Sequence, residues 1–219
     1  MVDLLYHDID IGVGRYKTEA SARSRGEPLR QRVIDAAERL LRQDKTDFSM
    51  RDLAAEAGVS FATPFNQFGS KHAIMQALSR RRIDLMETRY VAARPSGDAL
   101  DRVLLAVNTA ALVMLEQPGI NRAVMGWLGA AGAVSGDVRS RSMALWALAL
   151  GEGDGLIPAR REQALRCLPE QLAFGFRGVL SFWTAGELPD EALADSARDI
   201  ASTLLLGFTK RQLSVDPGT

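Results

Sequence analysis

The sequence predicts an all-α protein in two parts, a small three-helix front unit and a larger helical body. Three observations carry that expectation. Apolar residues recur at three- and four-residue steps along most of the chain, serines, glycines and prolines punctuate those runs, and no stretch alternates as a half-buried strand must. The expected division is a flexible basic arm over 1–28, the three-helix unit over 29–75 and the body over 76–213.

Residues 1–28 hold Gly12, Gly14, Gly26 and Pro28 without sustained periodicity, which suits an arm with room for a short helical piece. From there Leu29, Val33, Ala36, Ala37, Leu40 and Leu41 share one face of a helix ending near Gln43. Ser49 is placed to cap a second helix, with Asp52 adding negative charge to its first turn. Leu53, Ala54 and Ala57 face inward, and Gly58 stops that helix. After Val59-Ser60, the segment Phe61 to Phe68 reads as a short helix between Ser60 and Ser70. Two compact helices joined by a tight glycine-containing turn make a helix-turn-helix, whose second helix enters the major groove of DNA. A further helix starts after Ser70 and carries Ile74, Leu78, Ile83 and Leu85 before Pro95. The body then offers alanine- and leucine-rich helices at about 98–116, 118–128, 137–151, 169–186 and 189–208, with a loose connection from Gly126 to Gly136.

Composition narrows the function. A chain of 219 residues, 47% apolar and 25% charged, has the makings of a packed core. A lone cysteine, Cys167, and two distant histidines, His7 and His72, exclude a disulfide scaffold and a Cys/His zinc cage, and no metal or cofactor is expected. The amino terminus does not read as a secretory signal and no run approaches the ~20 apolar residues of a membrane span, so a cytoplasmic protein with no membrane partner is expected. The zero net charge conceals an asymmetry: residues 15–82 hold 14 Lys/Arg against 8 Asp/Glu, or +6, and the remainder holds 13 against 19, or −6. Arg15, Lys17, Arg23, Arg25 and Arg30 open the basic segment and Arg80-Arg81-Arg82 closes it. Such clusters are often only solvated helix faces, but a helix-turn-helix lies between these. No nucleophile elbow, phosphate-cradling loop or His-Glu-x-x-His is present, so catalysis is not expected.

The positions Ala36-Ala37, Leu53-Ala54, Ala57-Gly58-Val59-Ser60, Thr63, Phe65, Phe68 and Ser70-Lys71 together resemble the DNA-binding region of TetR-type (tetracycline-repressor-like) transcriptional regulators. The likeness runs from Leu29 to about Ile74, and the rest of the chain agrees in architecture alone. It implies a homodimeric regulator, most often a repressor, that binds a palindromic double-stranded DNA operator and is released by a small, largely apolar effector. Thr63, Asn66 and Gln67 offer hydroxyl and amide groups to phosphates and base edges, while Arg51 and Lys71, each at a helix start, suit phosphates. Phe65 stands where the family usually has a tyrosine that reaches a phosphate, and Phe68 reads as core. Ala62 replaces a common glycine, Pro64 replaces a usual leucine, and His72, which receives no role, replaces an acidic residue.

Pro64 leaves two options. With Ser60 as cap it would be the fourth helical residue and forfeit a bond; with Thr63 as cap it would be the first, where proline is favoured, and the second option is preferred. The same residue supports a rival reading, a helical small-molecule carrier or adaptor with a degenerate helix-turn-helix.

In the body, Met114, Asn121, Met125, Trp127, Met143, Trp146, Phe174 and Arg177 are candidates for an effector chamber, although any helical core has such residues. Leu172, Phe176, Val179, Leu180 and Trp183 form one face of the penultimate helix, with Gly175 and Gly178 allowing close approach. Leu193, Ala197, Ile200, Leu204 and Phe208 form a face of the last, and two copies would pair as a four-helix bundle.

Overall fold

A computed structural model describes the backbone of residues 13–129 and 137–210, with side chains from Glu27 onward. Among these residues the elements are α-helices α1 (Val13–Arg42), α2 (Met50–Ala57), α3 (Ala62–Phe68), α4 (Lys71–Ala92), α5 (Ala99–Leu115), α6 (Pro118–Gly129), α7 (Asp137–Leu150), α8 (Arg161–Ala185) and α9 (Asp190–Leu206). A single 3₁₀ turn, Pro158–Arg160, precedes α8, and an isolated antiparallel bridge joins Leu156 to Thr209.

Two elements begin earlier than the sequence pattern suggests. The first helix runs from Val13 through Pro28 rather than from Leu29, so the second half of the expected arm is helical; residues 1–12 lie outside the described residues. Likewise α8 starts at Arg161, with Pro169 buried inside it. In both cases a proline looked like a boundary. A proline inside a helix removes a single backbone bond, which neighbouring turns and packing can absorb.

Other boundaries follow their local chemistry. Ser49 and Asp52 form a reciprocal capping box, the Ser49 hydroxyl accepting from the Asp52 amide at 3.2 Å while the Asp52 carboxylate accepts from the Ser49 amide at 2.8 Å. Gly58 closes α2 at φ 61°, a left-handed conformation natural to glycine, and its N–H meets the carbonyls of Ala54 and Ala55. Ser70 caps α4 by accepting from the Ala73 amide at 3.2 Å.

Two cores share two helices. The front core gathers Val33, Ala36, Ala37, Leu40 and Leu41 of α1, Leu53 and Ala57 of α2, and Ile74, Met75 and Leu78 of α4. Ile120 and Val124 of α6 complete it. The rear core takes Met86 and Tyr90 from the far end of α4, Met125 from α6, and the buried faces of α5, α7, α8 and α9. Helices α4 and α6 therefore pass through both halves, so neither half can tilt without moving them.

The triple arginine of α4 stitches this junction. Arg82 bonds to Glu38 of α1 at 2.6 Å and to Asn121 of α6 at 2.9 Å. Arg81 bonds to Asp35 at 2.6 Å and to Glu38 at 3.0 Å, and Arg80 meets Asp137 of α7 at 2.9 Å. A sequence count reads these three as the end of a basic surface; the fold uses their charge internally.

Candidate functional site

The helix-turn-helix presents one outward face. α3 runs from Ala62, with Pro64 as its third residue, so neither sequence option for Pro64 is the arrangement found. The first few amides of a helix have no partner within it, so proline at the third position costs no intrahelical bond, and Pro64 is buried. Neither serine nor threonine caps α3: the Ser60 and Thr63 hydroxyls bond to each other at 2.8 Å, and Phe61 occupies the cap position.

Around this start, Arg51, Phe61, Phe65 and Asn66 are exposed, while Thr63 and Gln67 are partly buried. Phe61 and Phe65 contact edge to face at 5.6 Å, and the Arg51 guanidinium lies 5.6 Å from the Phe61 ring centre. Phe61 was not singled out in the sequence, where it resembled another core aromatic; at 54% exposed it belongs to the outward face. Phe68 packs on the front core beneath the Arg30 guanidinium, 4.3 Å from its ring centre, and Arg30 also donates to the Gln67 carbonyl.

Lys71 differs from expectation. Its ammonium donates to the Thr46 carbonyl at 2.9 Å and lies 4.3 Å and 4.5 Å from the ring centres of Phe48 and Trp127. Burial lowers its pKa, opposed by the charge of Asp47. These contacts tie the start of α4 to the loop before α2 and to α6.

Behind the helix-turn-helix, α4 forms the floor of a cavity of about 490 Å³. His72, Gln76, Ser79, Ile83 and Met86 line it from successive turns of α4, together with Arg82. Met114, Asn121, Met125, Trp146, Phe174 and Arg177, six residues expected in a chamber, line it too. The other two do not: Trp127 packs on the front core under Lys71, and Met143 packs against the rear core without reaching the cavity. The contribution of α4 went unread because its polar and apolar faces do not segregate along its whole length. A stripe at 72, 76, 79, 83 and 86 was nevertheless there to find.

Comparison with known proteins follows the same outline. Residues 33–78 match the family described as bacterial regulatory proteins, tetR family. Over those residues the front of this chain is similar to a tetR-family module. No curated protein matches the sequence. A TetR transcriptional regulator from Rhodococcus sp. RHA1 is similar in structure, with TM-score 0.61 and 21% identity over 82% of this chain and 97% of that one. A tetR family transcription regulator from Shewanella sp. PV-4 is similar at TM-score 0.55 and 16% identity over 83% of this chain and 98% of that one. At such identities the likeness establishes a common all-helical fold that extends beyond the tetR module into the body.

In the body behind the tetR module, the expected pairing faces are largely used within the chain. Leu172, Phe176, Leu180, Trp183, Leu193 and Ala197 are buried in the rear core. Periodicity could not separate a face buried against the chain's own helices from one buried against another copy. Val179, Ile200, Leu204 and Phe208 are partly buried, and Gly175 serves the α8–α9 contact, since a Cβ there would meet Ile200 at 3.1 Å. The large apolar side chains that α8 leaves outward are Phe174 and Phe182, the latter 60% exposed, with Gly178 exposed between them. The expected loose connection splits: Gly126 to Gly129 end α6, and 130–136 lie outside the described residues. No single helix among the described residues is long and apolar enough to cross a membrane.

Proposed function

We propose that this protein is a cytoplasmic, homodimeric transcriptional regulator, acting as a repressor without enzymatic activity, that reads a palindromic operator and releases it on binding a small apolar effector. The observation that carries this reading is the position of α4. It starts directly after the helix-turn-helix, and its next turns form the cavity floor. An effector that favours one tilt of α4 would change the separation of two reading heads and thereby weaken operator binding by its differential affinity for the two arrangements.

Asn66, Gln67 and Thr63 are the proposed base and phosphate readers, Arg51 the phosphate contact, and Phe65 with Phe61 the apolar surface that meets thymine methyls. Lys71 positions α4. The proposed dimer seam centres on Gly178 and Phe182, with Val179 and Ile200 at its margin. Pro64, which costs α3 nothing, lends no support to a degenerate helix-turn-helix. The test is binding of the full chain to duplexes covering the DNA beside its own coding sequence, by electrophoretic shift. One retarded palindromic fragment supports the reading; no retarded fragment contradicts it.

A further inference from the structure

The cavity has an uneven charge. Three arginines and no aspartate or glutamate line it among the described residues. Two of those arginines already have a carboxylate partner. Arg82 is held by Glu38 at 2.6 Å and by Asn121 at 2.9 Å, and Arg139, toward the solvent side, pairs with Glu170. Arg177 is different: among the described residues its guanidinium meets only the Met125 sulfur, at 3.3 Å. A thioether is a weak acceptor that balances no charge, and a guanidinium cannot escape burial by losing its proton. Burial accordingly pulls the Arg177 pKa below the ordinary guanidinium value, with no charged neighbour acting on it. Trp146, also of the cavity lining, is a second donor: its buried indole nitrogen has no hydrogen-bond partner among the described residues.

Resting on the reading of this cavity as the effector chamber, we propose that the effector is an apolar monocarboxylate whose carboxylate pairs with Arg177. The guanidinium fork matches a planar carboxylate through two parallel hydrogen bonds. A single arginine without a carboxylate partner among the described residues suits one negative charge rather than the two of a phosphate monoester. Ile83, Met86, Leu145, Phe176 and Leu180 supply walls for the apolar remainder, and about 490 Å³ is room for a molecule of drug or medium-chain size.

The test uses the full chain and two matched pairs of probes in calorimetric titrations: decanoate against decanol, and naphthylacetate against naphthylethanol. Decyltrimethylammonium is the cationic control. At least one acid is expected to bind about ten-fold or more tighter than its alcohol, and the cation weakest of all. Arg177→Met should abolish that preference by weakening the acid while leaving the alcohol within about three-fold, and Arg177→Lys should retain part of it. The comparison of acid with alcohol in the unsubstituted protein stands whether or not a variant folds. Alcohols or the cation binding as tightly as the acids would overturn the carboxylate assignment and leave the effector chamber standing. No binding by any probe would contradict both.

Discussion

Arg82 donates to the Glu38 carboxylate across 2.6 Å, and the two side chains are only 13% and 8% exposed. That pair joins α1 to α4, the helix that floors the cavity. Arg82 lines the cavity itself and also reaches Asn121 of α6, so a change in the chamber has a short route to α1. The route is a chain of direct bonds between helices, and its ion pair, Arg82 with Glu38, is costly to separate once shielded from water.

Glu38 should therefore be an acid-sensitive support of the junction between α1 and α4. Its burial pushes the carboxyl pKa up, but hydrogen bonds and charge from Arg82, with Arg81 and Arg42 assisting, outweigh this and hold it below the ordinary 4.5. A lowered folded-state value means that the stabilisation is fully present above about that pH and is lost as pH falls through the folded value. Glu38→Gln should cost about 2–4 kcal/mol at neutral pH, since it leaves Arg81 and Arg82 short of a charge. Denaturant titrations between neutral pH and acid should show the variant and the original converging as the pH falls. Equal stability at neutral pH would remove the pair from the account.

The outward face of the helix-turn-helix divides by role. Asn66→Ala should relax sequence preference at one operator position by about 1–3 kcal/mol, as loss of a base contact does. Arg51→Ala should instead weaken all sequences alike and reduce the salt slope by about one. Anisotropy titrations against operator variants at several salt concentrations separate the two patterns.

Lys71 gives the opposite expectation. Because its ammonium is bonded to Thr46 and packed on Phe48 and Trp127, Lys71→Met should lower stability by about 1 kcal/mol. It should leave the slope of DNA affinity against salt unchanged. A slope reduced by a full unit would restore this lysine to the phosphate contacts.

Adjacent residues on α8 should fail in different ways. Trp183 is fully buried, donates to Asp190 at 2.7 Å and is covered by the Arg122 guanidinium at 4.4 Å. Trp183→Ala should cost about 3–5 kcal/mol of stability. Phe182 is exposed in the single chain, so Phe182→Asp should leave the monomer fold intact while dissociating the dimer. Sedimentation paired with thermal melting reads both effects, and a Phe182→Asp protein that stays dimeric would move the seam elsewhere.

These contrasts also mark what the sequence makes legible. Helical spacing and caps identify α2 and the start of α4, because Ser49, Gly58 and Ser70 act through local backbone chemistry, whereas α3 begins without the serine or threonine cap its sequence suggests. Pro28 and Pro169 mislead because local chemistry there is overridden by the helices around them. Six of the eight residues expected in a chamber line the cavity, whereas Trp127 and Met143 show that an apolar residue at helical spacing does not declare which side of a core it serves. The partnering of Arg80, Arg81 and Arg82 depends on contacts between distant segments, and a count of charges along the chain does not reveal it.

The central claim is that two copies of this head grip a duplex together. Sedimentation of the chain with fluorescent duplexes from its own locus, across salt concentrations, measures stoichiometry and affinity at once. The account predicts two chains on one palindrome, with affinity falling about 10³- to 10⁵-fold between roughly 50 and 200 mM salt if six to ten phosphates are contacted. A chain that sediments alone beside every duplex, even in dilute buffer, would contradict it.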